Sequence, residues 1–233
     1  MGKRKTKFLW IGLAFLAAFA LWTALVRFNA VQAIGPNGSS VGFATLNGLV
    51  HETIGVHWGL YEMTDWLGLI PIGFVLGFAI LGLVQLVRRR SLFKVDRSIL
   101  VLGGFYIVVM AMYLLFEEVA INYRPVLIDG NLEASYPSST TMLALCVLPT
   151  AMMQLKSRIR HIAVRRAVLV TLGALTAFMV VGRLISGVHW LTDIIGGVLL
   201  SGGLVMLYAF VIKRQGTSRR KSESTRSACM PSC

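Results

Sequence analysis

A chain of 233 residues could form one or two soluble domains, but this one is 56% apolar and only 14% charged, with a mean hydropathy of +0.72. That balance excludes a soluble globular protein, a disordered chain, a collagen and a secreted disulfide scaffold. The formal net charge of +13 would suit nucleic-acid binding only if the basic residues shared one face of a folded domain, and their placement argues otherwise.

Six weakly charged segments, 8–26, 66–87, 98–116, 139–155, 167–186 and 191–212, each approach the length a helix needs to cross a hydrocarbon core of about 30 Å. The sequence therefore predicts an all-α, polytopic membrane protein with six transmembrane helices, making one domain over 1–212 and leaving 213–233 as a disordered basic cytoplasmic tail. Basic residues crowd alternate connections: Lys3 to Lys7 before the first span, Arg88 to Arg97, Lys156 to Arg166, and Lys213 onward, 20 of the 23 in all. By the positive-inside rule these connections and both termini are cytoplasmic. The basic surplus is thus mainly topological, aided by anionic lipid headgroups, and no nucleic-acid partner is expected. Residues 3–26 resemble a secretory signal, but the apolar run is longer than a usual signal core and reads as an uncleaved anchor.

The first outer connection, 27–65, opens with the breaker cluster Gly35-Pro36-Asn37-Gly38-Ser39-Ser40. Its second half, 43–65, has apolar residues at helical intervals and predicts one helix lying in the interface. His51 and His57 in this stretch read as ordinary interfacial histidines. Arg27, just after the first span, can snorkel to the headgroups. Pro71 sits near the outer end of the second span, where proline costs least. The 117–138 connection is the most polar outer segment, too charged and too broken by Pro125, Gly130 and Pro137 to insert. Cys146 lies within a span, and Cys229 and Cys233 fall in the reducing inner tail, so no structural disulfide is expected.

Chemistry concentrates in Gly182-Arg183-Leu-Ile-Ser-Gly187-Val-His189-Trp-Leu-Thr-Asp193. A charged group beside a span needs a partner or a task. His189 and Asp193 are four apart, which on a helix sets the carboxylate over the imidazole, fixing its tautomer and leaving the other nitrogen as nucleophile or base. A polar pair anchoring a span end accounts for these two residues equally well. Arg124-Pro125 and Tyr136-Pro137-Ser138-Ser139-Thr140 are predicted on the same membrane face. Two guanidiniums, a hydroxyl and the amides opening the fourth span are what a phosphate requires.

At these residues the chain resembles the type 2 phosphatidic acid phosphatase family, the membrane branch of the haloperoxidase-like superfamily. The family pattern is Lys, six residues, Arg-Pro; then Pro-Ser-Gly-His; then Ser-Arg, five residues, His, three residues, Asp. Here Arg124-Pro125, Pro137-Ser138 and Arg183, His189, Asp193 match in order and spacing. The resemblance implies a ping-pong lipid phosphatase using neither metal nor other cofactor. His189 would attack phosphorus to give a phosphohistidine and Asp193 would orient it, while Arg124, Arg183 and Ser138, with Ser139 and Thr140 beside it, would hold the phosphoryl group. It also implies a bacterial plasma membrane, an outward-facing site and a lipid phosphate of the outer leaflet as substrate.

Two positions depart from the pattern. Thr140 stands where the family has the histidine that protonates the leaving group, and Ser139 replaces the glycine; Glu117 stands where it has lysine. Threonine is no useful acid at neutral pH, and a missing general acid typically costs about 10²–10⁴-fold. An alkoxide leaving group depends on that proton far more than a phosphate does, so the sequence favours a polyprenyl diphosphate over phosphatidic acid. His51 or His57 could supply the acid instead. The competing reading is an impaired family member that binds lipid phosphate without turnover. A transporter would show paired repeats or broken mid-membrane spans, and neither is evident.

Overall fold

The computed structural model describes residues 3–228, with side chains described over 6–214. Eight α-helices occur among the described residues: α1 (Lys3–Phe28), α2 (Ala44–Ile54), α3 (Trp58–Leu67), α4 (Leu69–Arg89), α5 (Arg97–Glu118), α6 (Ser139–Arg158), α7 (Ile162–Ile185) and α8 (Leu191–Ala228). Five stretches are long and apolar enough to cross a membrane: Thr6–Phe28, Trp58–Arg89, Arg97–Glu118, Ile162–Ile185 and Leu191–Arg214.

The remaining expected span, 139–155, is α6, and its lower hydropathy has a physical cause. It packs against α4, α5, α7 and α8, so it faces protein rather than lipid and can carry Thr141, Thr150 and Gln154 fully buried. Two of these groups are met inside the bundle: the Thr150 hydroxyl donates to the Cys146 carbonyl at 2.7 Å, and the Gln154 amide donates to the Ser98 carbonyl at 3.2 Å. α1 lies along α8 and closes the bundle on that side.

Two expectations change. The single interfacial helix over 43–65 divides into α2 and α3 at Gly55, where φ is 72°. There the chain turns against the loop after α7: His57 N–H donates to the Ser186 carbonyl at 3.0 Å. A Cβ on Gly187, itself at φ 71°, would fall 1.9 Å from the Gly55 carbonyl oxygen, so the contact admits no side chain. The second span begins at Trp58 rather than 66, because Gly68 keeps helical angles and joins α3 to α4. The backbone of α8 runs helical from Leu191 through Ala228. Residues 229–233 of the expected tail lie outside the described residues.

At the end of the bundle that carries the 119–138 connection, Tyr136 is buried between Phe19, stacked at 6.2 Å, and Phe116, edge-on at 6.1 Å, and its hydroxyl lies 2.8 Å from Thr23 Oγ1. It also lies flat on α8, because a Cβ on Gly196 would come within 2.6 Å of its ring. Gly196→Ala is therefore expected to cost about 1–3 kcal/mol by overpacking. Gly104→Ala, whose added methyl meets nothing within 4 Å, serves as the control. Thermal unfolding of both variants in detergent checks the difference.

Candidate active site

The 119–138 connection is built as a tongue. Antiparallel bridges pair Tyr123 with Ala134 and Ile128 with Asn131, and the turn between them is Asp129-Gly130, at φ 48° and 78°. Positive φ at both central residues is the hairpin turn that Asp-Gly favours. The tongue folds back so that Arg124 and the Ser135–Ser138 segment reach the same place. Arg124 N–H donates to the Glu133 carbonyl at 3.0 Å, and Trp190 Nε1 donates to the Tyr123 carbonyl at 2.7 Å, tying the tongue to the loop that carries His189.

His189 is 3% exposed and Arg183 is 1% exposed. The Arg124 Nη1–His189 Nε2 distance is 3.2 Å. A guanidinium cannot accept a hydrogen bond, so Nε2 carries the lone pair and the ring proton is on Nδ1. Nδ1 in turn lies 3.7 Å from Asp193 Oδ2, an electrostatic contact longer than a hydrogen bond. The spacing predicts both residues on one helix; instead His189 occupies the bend before α8 and Asp193 its first turn. Asp193 also closes the helix start, with Oδ2 accepting from the Trp190 N–H at 2.9 Å as an acidic residue near a helix N-terminus commonly does. Its Oδ1 accepts from Asn122 Nδ2 at 3.4 Å.

Arg183 projects from the last turn of α7 into a cradle on α3. Nη1 donates to the Tyr61 carbonyl at 3.2 Å and to Thr64 Oγ1 at 3.1 Å, and Nη2 donates to Asp65 Oδ1 at 3.1 Å. Its guanidinium carbon sits 4.6 Å over the Tyr61 ring. Arg124 has its own carboxylate: Nε lies 3.0 Å from Glu133 Oε2, out of line for a hydrogen bond. Burial, then the charges of Arg124 and Arg183, push His189 well below the usual 6.5, with the Ser135 backbone opposing.

The other expected residues fall around this cluster. Ser138 is the N-cap of α6, its Oγ accepting from the Thr141 N–H at 3.4 Å, so its hydroxyl is engaged in capping; its own N–H donates to the Asp193 carbonyl at 3.1 Å. Ser139 and Thr140 open α6, where helix N–H groups lack intrahelical partners. They line a cavity of about 380 Å³ together with Asp65, Tyr113 and an apolar wall of Leu69, Ile72, Val109 and Val147. Glu117 is exposed, beside Tyr113 and Ser139 on a smaller cavity. His51 packs tilted against Trp190, ring centroids 5.4 Å apart, and burial lowers its pKa; His57 Nε2 bonds the Ile54 carbonyl at 2.9 Å. Neither histidine lines the cavity at Thr140.

Sequence reading missed Tyr61, Thr64, Asp65, Asn47 and Asn122. Asn47 Nδ2 donates to Thr192 Oγ1 at 2.9 Å and to the Gly42 carbonyl at 2.7 Å, binding the first outer loop to the start of α8. The unassigned arginine in α7 was a signal that a carboxylate must lie near, and the Asp-Gly dipeptide was a signal for the tongue. Nothing local marks the two asparagines.

No group of three or more metal-ligating side chains occurs among the described residues. Residues 104–216 match the family model of the PAP2 superfamily. No curated protein matches the chain. Among solved structures, the chain resembles a transmembrane PAP2-type phosphatidylglycerolphosphate phosphatase from Bacillus subtilis, with a TM-score of 0.57 at 19% identity, over 88% of this chain and 97% of that one. The likeness is one of fold.

The lowered pKa of His189 sets a pH dependence. The unfolded chain takes up the imidazole proton near pH 6.5 while the folded one does not, so stability is full above 6.5 and is lost as pH falls toward the folded value. His189→Gln, which does not titrate, is expected to flatten the decline. Thermal midpoints of both proteins across mildly acidic pH check it.

Proposed function

From the match of residues 104–216 to the family model of the PAP2 superfamily, we propose that the chain is an integral-membrane lipid phosphatase of that family that works through a phosphohistidine. The observation that carries this reading is the unprotonated His189 Nε2 held 3.2 Å from Arg124 Nη1, with Arg183 and Asp193 alongside. In the proposed reaction Arg124, Arg183 and the N–H groups opening α6 at Ser139 and Thr140 hold the phosphoryl oxygens. Nε2 attacks phosphorus, the N–P bond forms and the bond to the leaving oxygen breaks. Asp193, behind Nδ1, stabilises the positive charge the ring acquires. Water then cleaves the N–P bond and returns His189 to its starting state.

The apolar wall of the cavity beside Thr140, Leu69 through Val147, supports a lipid chain as the remainder of the substrate. The basic loops on alternate connections support both termini inside, α6 as a sixth crossing and a site facing outward, in a bacterial plasma membrane. Thr140 at the cavity's polar end supplies no acid, which favours a polyprenyl diphosphate, whose leaving phosphate needs no proton, over phosphatidic acid. A second reading, lipid-phosphate binding without turnover, draws on Glu117, Thr140 and the carboxylate already paired with each arginine.

Phosphate release by purified protein from polyprenyl diphosphate, phosphatidylglycerol phosphate and phosphatidic acid separates these readings. The expected order puts the diphosphate first. His189→Ala abolishes release, and Thr140→His raises monoester hydrolysis by about 10²-fold or more. Faster monoester than diphosphate hydrolysis in the wild type overturns the preference. No release from any substrate, with lipid binding lost in Arg183→Ala, establishes the binding reading instead.

A further inference from the structure

We propose that Asp65 is the general base of the second half-reaction, removing a proton from the water that hydrolyses phosphorylated His189. The assignment rests on the phosphohistidine reading above and adds a residue that lies outside every motif of the sequence.

In-line displacement at phosphorus sets the entering and leaving groups at opposite ends of one axis. The group expelled in the first half-reaction and the water attacking in the second therefore occupy the same position, opposite His189 Nε2. The leaving group carries the lipid chain, and the apolar cavity against α4, α5 and α6 is where that chain fits. The attacking water comes from the cavity side.

Asp65 stands at the polar end of that cavity with Ser139 and Thr140, and it is the one carboxylate among its lining residues. Its side chain is 60% exposed, so water reaches it. Oδ1 holds Arg183 at 3.1 Å, which keeps the carboxylate next to a guanidinium assigned to the phosphoryl oxygens. Oδ2 makes no hydrogen bond among the described residues. With Oδ1 on the guanidinium and Oδ2 open to water, the carboxylate offers a free acceptor oxygen to a water proton. That is the need that remains when the substrate is a diphosphate, since its leaving phosphate departs unprotonated whereas water must lose a proton to attack. In the step, the water oxygen bonds to phosphorus, the N–P bond breaks with its electron pair returning to Nε2, and the water proton moves to Asp65, from which it passes to solvent. Tyr113 lines the same cavity, but a phenol is the weaker recipient for that proton.

The test uses the full chain in lipid nanodiscs with a polyprenyl diphosphate labelled in its terminal phosphate. Asp65→Asn keeps an oxygen for Arg183 and removes the base. It is expected to release about one equivalent of polyprenyl monophosphate per protein in a burst, to accumulate acid-labile, base-stable label on the protein, and to turn over about 10²-fold more slowly. Added formate is expected to restore turnover in Asp65→Ala. Asp65→Asn turning over like wild type overturns the assignment, and so does loss of burst and turnover together, since Asp65 then acts only by holding Arg183. A wild-type protein that takes up no label, indistinguishable from His189→Ala, defeats the phosphohistidine reading itself and this assignment with it.

Discussion

Two guanidiniums held around one neutral imidazole, at the rim of an apolar bundle, impose the organisation of everything outside the spans. A buried cation is costly unless each of its donors finds an acceptor, and two of them close together repel. The two terminal nitrogens of Arg183 are met on α3 by Tyr61, Thr64 and Asp65, while its Nε has no partner among the described residues. Arg124 is met by Glu133 and His189. The second arrangement is possible only when the 119–138 connection is ordered, so that loop is scaffolding for charge and not a spacer between helices.

Asp193 shows how closely the site and the fold are joined. One carboxylate caps the start of α8 through Trp190, backs His189 Nδ1 and takes the Asn122 amide. Asn122 in turn accepts the Gly42 N–H at 3.2 Å, and the Trp22 indole donates to the Thr192 carbonyl at 3.1 Å. Asn122 also donates to Thr192 Oγ1 at 3.4 Å, so hydrogen bonds run from Asp193 through Asn122 and Thr192 to Trp22 of α1, and removing any buried member leaves its neighbours unsatisfied, which is costlier than the lost bond.

What the sequence made legible follows from what is periodic or local. Long apolar runs and the alternation of basic loops announce a membrane protein, and the spacing of Arg183, His189 and Asp193 announces a site. Partners supplied by distant segments leave no such trace. The span at 58 was placed at 66 because Glu62 and Asp65 look like loop residues, and only Arg183, 118 positions away, explains an acid there. The α2–α3 break follows from a backbone contact between Gly55 and Gly187 that composition cannot express. α6 illustrates the converse: it reads as a weak span because its neighbours are protein.

The two departures from the family pattern become coherent when charge is counted around the arginines. Glu117 for lysine removes a cation, and Glu133 and Asp65 already neutralise the two that remain. On the proposed reading, an incoming phosphate competes with carboxylates fixed in place, which weakens ground-state binding, and a departing one is replaced by them at once. Weak binding of ground states is compatible with fast turnover, because only interactions stronger in the transition state accelerate chemistry. On that reading the transition state gathers charge along an axis that starts at His189 Nε2, 3.2 Å from Arg124 Nη1, and ends at the cavity that Asp65 lines. A site of this kind favours a substrate whose leaving group is stable as an anion, and the loss of an acid at Thr140 is tolerated for the same reason.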